Sequence, residues 1–383
     1  MIGRVATRKS VECLKATCTA VRFRPLSQAA ASLNYYDEPH ASPSFANTKH
    51  FLTLRDFTTP QILQLIRRSL ELKQLIRSHP SEARSREQAL AGRTMGMIFT
   101  KRSTRTRVSA ETGWAYYGGH SMFLGKEDIQ IGGGEPLKDT AIVVSSMVDV
   151  ILARMGGHEE IEILAANSSV PVINALTAKY HPLQALADIM TLYESSLPNA
   201  LTQPTSSDLP LPLLPPLKVA WIGDANNIIH SLLVSLPRLG PIELTVATPK
   251  GYNCDADVVN FAIGEATGGA EKGTVHFTKD PREAVRNADF VITDTWVSMG
   301  QESEKAKRIK DFDGFRITEK MVKDGGGKPD WKFMHCLPRK IEEVDDEVFY
   351  NPNRSIVFQE AENRKYTVMA VYEMLMSWTH ARN

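Results

Sequence analysis

The sequence predicts an α/β protein of two doubly wound parallel-sheet domains, with the functional site in the cleft between them. Three observations lead there. Short apolar runs alternate with amphipathic stretches before residue 195 and again after residue 217, the pattern of parallel strands covered by helices on both faces. A Pro-rich stretch, 195–216, separates the two series. Polar and charged residues follow the strand runs in both series, where open parallel sheets bind their ligands.

The first helix begins at Thr59-Pro60 and repeats Ile62, Leu65, Ile66, Leu72 and Ile76 at helical spacing. A strand over 95–99 then leads into a helix over 103–117 that stops at Gly118-Gly119. Strands over 121–124, 150–153 and 170–176 alternate with helices over 136–148, 159–167 and 182–194. The stretch 195–216 holds six prolines, cannot continue a helix or join a sheet interior, and is expected to be an exposed loop. Alternation resumes with strands over 218–222, 242–247, 274–277, 289–293 and 332–335, and with helices over 227–236 and 255–266. A last helix, 360–379, carries Val368, Val371, Met374, Leu375 and Trp378 and is expected to pack back on the first domain. The expected domains are 48–186 with 346–383, and 187–345.

A length of 383 residues suits two domains, and the net charge of +1 argues against a nucleic-acid binder held by phosphate neutralisation. No apolar run approaches the ~18 residues of a membrane span. Residues 1–36 hold Arg4, Arg8, Lys9, Lys15, Arg22 and Arg24 against one acid, Glu12, the composition of a mitochondrial presequence or of a basic tail. Cys13 and Cys18 fall in this leader, which leaves Cys254 and Cys336 far apart and argues against a disulfide framework or a cysteine metal site.

Ser103-Thr104-Arg105-Thr106-Arg107 opens a helix after a buried strand. Such a terminus presents unpaired N–H groups, and an arginine adds a planar cationic fork suited to phosphate or carboxylate. The alternative is an ordinary cap with solvated arginines. Arg154 ends a strand and needs either a carboxylate partner or a ligand. His181-Pro182-Leu183-Gln184 puts a histidine at the start of a helix and an amide one turn along, a local cap or a pair facing one small planar group. Gly223-Asp224-Ala225-Asn226-Asn227 lacks the spacing of a dinucleotide fingerprint and reads as a turn or as a hold for an amino-acid backbone. Asp294-Thr295-Trp296-Val297-Ser298-Met299-Gly300 offers a strand-end carboxylate, either a cap or a seat for a cationic amine. Cys336, in His335-Cys336-Leu337-Pro338, is either core filler or a thiol with a tuned pKa.

Together with Phe99 to Arg107, Trp221-Ile222-Gly223-Asp224 and Glu362-Asn363-Arg364, these motifs resemble those of the ornithine carbamoyltransferases, above all the fungal mitochondrial type. The resemblance runs from about Phe51 to Trp378. It implies transfer of the carbamoyl group from carbamoyl phosphate to the side-chain amine of L-ornithine, giving citrulline and phosphate, without metal or organic cofactor. It implies that Ser103, Thr104, Arg105 and Thr106 hold the phosphate with Arg154 and Arg364. His181 and Gln184, with the backbone at Cys336 and Leu337, would hold the carbamoyl group. Gln130 would reach into a neighbouring subunit of a homotrimer with shared sites. Asn227, Asp294, Ser298 and Met299 would bind ornithine, and Cys336 with Asp294 would help bring its amine to the neutral form. The same resemblance implies a mitochondrial matrix enzyme. Thr100 stands where relatives frequently carry an acid.

The alternatives are a transcarbamoylase for aspartate, acetylornithine or putrescine, or a relative that only scaffolds or senses. Asp294 beside Ser-Met-Gly favours a cationic amino acid, and the intact motifs favour catalysis. Helical spacing turns Arg107 away from the phosphate.

Overall fold

The computed structural model describes residues 45, 48–78, 89–127, 129, 134–203, 209–266, 272–298 and 301–380. The N-terminal leader, Gln130, Met299 and Gly300 lie outside them. Within the described residues the chain builds two parallel sheets. The first contains β1 (Thr94–Phe99), β2 (His120–Gly125), β3 (Val150–Arg154) and β4 (Val172–Leu176), in the order β2-β1-β3-β4. The second contains β5 (Leu217–Ile222), β6 (Ile242–Ala247), β7 (Thr274–Thr278), β8 (Phe290–Thr293) and β9 (Lys332–His335), in the order β7-β6-β5-β8-β9. Each order reverses direction once, at β1/β3 and at β5/β8. Those reversals are the crevices where open α/β sheets take ligands. Phe99 lies opposite Arg154, and Thr293 opposite His335, so the strand ends that carry candidate residues stand level.

Helices in the first half are α1 (Thr59–Ser78), α2 (Arg105–Tyr116), α3 (Leu137–Ser145), α4 (His158–Asn167) and α5 (Pro182–Ser196). Those of the second half are α6 (Asn227–Leu233), α7 (Ala256–Ala266), α8 (Pro281–Val285), α9 (Lys305–Asp311), α10 (Glu319–Asp324), α11 (Asp346–Phe349) and the C-terminal α12 (Val357–His380). No helix among the described residues is long and apolar enough to cross a membrane. Helix α1 starts at a reciprocal cap: the Thr58 N–H donates to Gln61 Oε1 at 2.9 Å and the Gln61 N–H to Thr58 Oγ1 at 3.4 Å. The short helices α8 to α11 were invisible to periodicity because a stretch of four to seven residues repeats no face.

As expected, α12 packs on the first half, against α1, α2 and α5. The approach to α2 is close: a Cβ on Gly113 would stand 3.0 Å from Met369 Cγ. Polar ties fix the register. Arg68 on α1 pairs with Glu373 at 2.5 Å, the Tyr117 hydroxyl donates to the same carboxylate at 2.7 Å, and Lys73 pairs with Glu194 on α5 at 2.7 Å.

Two expectations need correction. The helix expected over 103–117 begins at Arg105. Thr104 occupies the cap position in a helical conformation without a side-chain cap bond, and Ser103 Oγ accepts instead from the Thr106 N–H at 3.3 Å. The Pro-rich stretch is not an exposed loop throughout. Leu211 and Leu214 are buried, the Leu214 N–H bonds the Leu239 carbonyl, and Tyr193 donates its hydroxyl to Pro212 O at 2.9 Å. Proline frequency signals the absence of regular structure, and apolar side chains between prolines can still seek a core.

Several buried contacts join the halves. Arg238 donates to the carbonyls of Leu54 and Phe57, both at 2.7 Å, and the His181 N–H donates to Ser231 Oγ at 2.8 Å.

Candidate active site

The site forms where the two crevices face each other. From the first half come Arg105 at the start of α2, Arg154 at the end of β3, and His181 and Gln184 at the start of α5. From the second come Asn226 and Asn227 after β5, Asp294 after β8, and Cys336 and Leu337 after β9. Helix α12 brings Arg364 to the first group. Its guanidinium donates to Gln184 Oε1 at 2.7 Å and to Thr106 Oγ1 at 3.2 Å. Arg105 spans the cleft and donates to the Leu337 carbonyl at 2.5 Å.

Three guanidiniums therefore share a small volume. Burial and then the charge of Arg105 press Arg154 down to about 10, and burial with the charges of Arg105 and Arg154, opposed by Asp188, brings Arg364 to about 10. Burial lowers Arg105 as well. Clustered like charges are unfavourable unless an anion joins them. Buried polar atoms without partners among the described residues include Arg154 Nε, His181 Nδ1 and Arg364 Nε, all at this place. Buried polar groups are normally paired, so this concentration marks a ligand seat. The three guanidiniums of Arg105, Arg154 and Arg364 are arranged to suit an anion, and Arg107 stands apart from them. That residue is exposed, pairs with Glu111 at 2.9 Å and stacks over the Phe123 ring at 3.9 Å. Thr100 bonds the Arg154 carbonyl through its N–H at 3.0 Å and its hydroxyl at 3.1 Å, which locks the ends of β1 and β3 together.

His181 is held neutral, far below its ordinary range, by burial and then by Arg364, Arg154 and Arg105. A neutral imidazole can donate a hydrogen bond without adding a fourth positive charge.

On the other wall, the Cys336 thiol donates to Asp294 Oδ1 at 2.7 Å, and Asn226 Nδ2 donates to Asp294 Oδ2 at 2.6 Å. Burial raises the Asp294 carboxyl, opposed by His335 and the Cys336 thiol. Burial and the Asp294 charge push the Cys336 thiol well up. Cys336 is therefore a protonated donor, not a thiolate. Asn227 turns its amide to the Thr177 carbonyl at 2.6 Å and so bridges the halves. Ser298 is half-buried, and its N–H bonds Gln301 Oε1 at 3.1 Å. Hydrogen bonds join Arg105 with Leu337, Arg364 with Gln184 and Thr106, and Cys336 with Asp294, whereas Asn227 and Ser298 bond Thr177 and Gln301, and Gln130 and Met299 fall outside the described residues.

Sequence reasoning missed Glu343, Asp188 and Glu360. Glu343 is buried and accepts from the Trp296 N–H at 3.1 Å, from His335 Nε2 at 3.1 Å and from the Lys340 N–H at 2.8 Å, which joins the 294–298 loop to the 335–340 loop. His335 Nδ1 accepts from the Leu337 N–H at 2.9 Å, and Leu337 holds a left-handed φ of 61°. Asp294, His335 and Cys336 offer ligand atoms within 4.8 Å of one another. Both histidine nitrogens and the thiol already have partners, so the trio is a hydrogen-bonded cluster and not an open ligand set.

The model for the carbamoyl-phosphate-binding domain of aspartate/ornithine carbamoyltransferases matches residues 49–194, and the model for the Asp/Orn-binding domain matches residues 216–375. A mitochondrial ornithine carbamoyltransferase of Emericella nidulans is 46% identical over 355 residues, covering 93% of this chain and 96% of that protein. The chain belongs to the aspartate/ornithine carbamoyltransferase family. Within the family, a mitochondrial ornithine carbamoyltransferase of Schizosaccharomyces pombe is 47% identical over 86% of this chain and 94% of its own length. The crystal structure of the mitochondrial ornithine carbamoyltransferase of Coccidioides immitis superposes with a TM-score of 0.74 at 42% identity, covering 86% of this chain and 98% of that one. The ornithine carbamoyltransferase of Pyrococcus furiosus gives 0.76 at 39% identity, covering 87% and 98%. The two family domains correspond to the two parallel sheets.

Proposed function

We propose that this chain transfers the carbamoyl group of carbamoyl phosphate to the side-chain amine of L-ornithine, releasing L-citrulline and phosphate. The arginine cluster facing a buried carboxylate across one cleft carries the reading: one wall suits a dianionic phosphate, the other a cationic amine. The family models for both binding domains and the named activity of the relatives support it.

Ser103, Thr104, Arg105, Thr106, Arg154 and Arg364 hold the phosphate with charge-assisted hydrogen bonds. His181 donates to the carbamoyl oxygen, and Gln184 with the Cys336–Leu337 backbone receives the carbamoyl amide. The ornithine ammonium pairs with Asp294, beside Asn227, Ser298 and Met299, and its proton leaves through the Asp294–Cys336 pair. The neutral amine then attacks the carbonyl carbon. Charge on the carbonyl oxygen is met by Arg105, Thr106 and His181, the C–O bond to phosphate breaks toward the arginines, and the second amine proton leaves with the departing phosphate. Each donor aimed at such an oxygen is worth about 3–4 kcal/mol in the transition state. The reading includes a homotrimer in which Gln130 completes a neighbour's site, a presequence over 1–36, and residence in the mitochondrial matrix, in keeping with the mitochondrial names of the fungal relatives.

The test is citrulline formation by protein lacking the leader, with ornithine, putrescine, acetylornithine and aspartate compared as acceptors. Ornithine should give the highest kcat/KM. A better result with putrescine overturns the acceptor assignment, and no turnover with any amine overturns the reaction.

A further inference from the structure

Below the arginine cluster lies a pair of acids with no place in the reaction just described. Asp188 on α5 and Glu360 on α12 are buried to 0% and 1% exposure, and their carboxyl groups are in hydrogen-bonding contact. Gln184 Nε2 donates one hydrogen to Asp188 Oδ1 at 2.8 Å and the other to Glu360 Oε1 at 2.9 Å. The amide oxygen accepts from Arg364 at 2.7 Å. Glu360 Oε2 accepts from the His335 N–H at 2.9 Å, whereas Asp188 Oδ2 has no donor among the described protein groups.

We propose that Asp188 and Glu360 hold one proton between them and act as positioning residues, fixing the Gln184 amide and Arg364 for carbamoyl phosphate. The inference rests on the carbamoyl-phosphate reading of the site. Two touching carboxylates cannot both stay ionised in a buried setting, so a proton must close the contact. Burial and the charge of Asp188 drive Glu360 well above the carboxyl range, and burial takes Asp188 to about 7. Glu360 therefore donates to Asp188 and gives Asp188 Oδ2 its missing partner. The pair then carries one negative charge, which Arg364 balances.

With this proton in place, Gln184 has one tolerable orientation. Turned over, its oxygen would face two carboxyl oxygens and its NH2 would face a guanidinium. The pair thus sets the oxygen toward Arg364 and the ligand space, and it holds Arg364 against Thr106. Other charged or titratable groups facing the pair are Arg105 from α2, Asp294 from the end of β8 and Cys336 from the end of β9.

The isosteric amides separate this role from simple packing. Asp188→Asn can accept from Gln184 and donate to an ionised Glu360, so it replaces the proton with an amide hydrogen. Glu360→Gln puts an NH2 against either the Gln184 amide or the His335 N–H, donor against donor. The KM for carbamoyl phosphate, measured by citrulline formation at saturating ornithine, should rise about tenfold or more in Glu360→Gln and Asp188→Ala and stay within about threefold in Asp188→Asn. The wild-type KM should climb as pH rises far enough above the ordinary carboxyl range for Glu360 to give up the shared proton, and this climb should vanish in Asp188→Asn. Thermal melting checks that each variant folds. If Glu360→Gln does not fold, the pH comparison of the wild type with Asp188→Asn decides. Equal KM in all variants, an Asp188→Asn defect as large as that of Asp188→Ala, or an unchanged pH climb overturns the proposal alone. A wild-type protein without turnover overturns the parent reading and this one with it.

Discussion

Replacing Arg308 with methionine probes the link between the turn after β5 and the loop after β8. Arg308 is 5% exposed and donates to Trp296 O at 2.5 Å through Nε and to Asp224 Oδ2 through Nη2. Its guanidinium lies 4.8 Å from the Tyr252 ring centre. Arg308→Met leaves Asp224, 9% exposed, as a buried carboxylate without its cation, a defect worth about 3–5 kcal/mol. The pH dependence runs opposite to that of a surface ion pair. Burial outweighs Arg308 and holds Asp224 at about 6, above its ordinary 3.8. Protonation therefore favours the folded state, and its stabilising contribution, complete below the ordinary value, fades as pH rises through 6. Without Arg308 the folded value climbs further. The deficit should be largest near pH 7.5 and shrink to about 1 kcal/mol near pH 5, where Asp224 is protonated in both proteins and only neutral hydrogen bonds are lost. Urea unfolding of the wild type and the variant at both pH values measures it. A deficit that is equal at the two, or grows toward low pH, refutes the burial-dominated account of Asp224.

His181→Ala should lower kcat by about 10²–10³ with a small change in ornithine KM, because the lost donor serves the transition state. Steady-state kinetics check this, and a loss under about threefold removes His181 from the carbonyl oxygen. Cys336→Ala removes a donor that lowers the Asp294 carboxyl, so Asp294 should titrate higher and the acidic limb of kcat/KM for ornithine should move to higher pH. An unmoved limb would return Cys336 to core filler. Burial and neighbouring Lys49 depress His50 to about 4, and its Nδ1 accepts from the Val172 N–H at 3.1 Å. Its contribution to stability should be present above pH 6.5 and fall away as pH drops toward 4. A His50→Gln variant with the same acid limb in thermal melting would contradict this.

The alternation of strands and helices, and the strand-end positions of Arg105, Arg154, His181, Asp294 and Cys336, were legible in the chain because local periodicity and turn chemistry report backbone direction. The halves of the site could be listed the same way, although only the resemblance to a family assigned their roles. Arg107 was rightly set apart from Arg105 by helical spacing alone. The buried end of the Pro-rich stretch was not legible, since Leu211 and Leu214 are buried by contacts made far along the chain.

By itself the sequence determined two series of parallel strands and the residues that end them. Tertiary structure decided which of those ends face one another. Strand order set the crevices at β1/β3 and β5/β8, and α12 returned Arg364 and Glu360 from 176–180 positions away to Gln184. Only that packing shows that Asp188, an unremarked helix residue in the sequence, touches a second carboxyl group. Charge, burial and proton sharing depend on through-space neighbours, and these are properties of the folded chain.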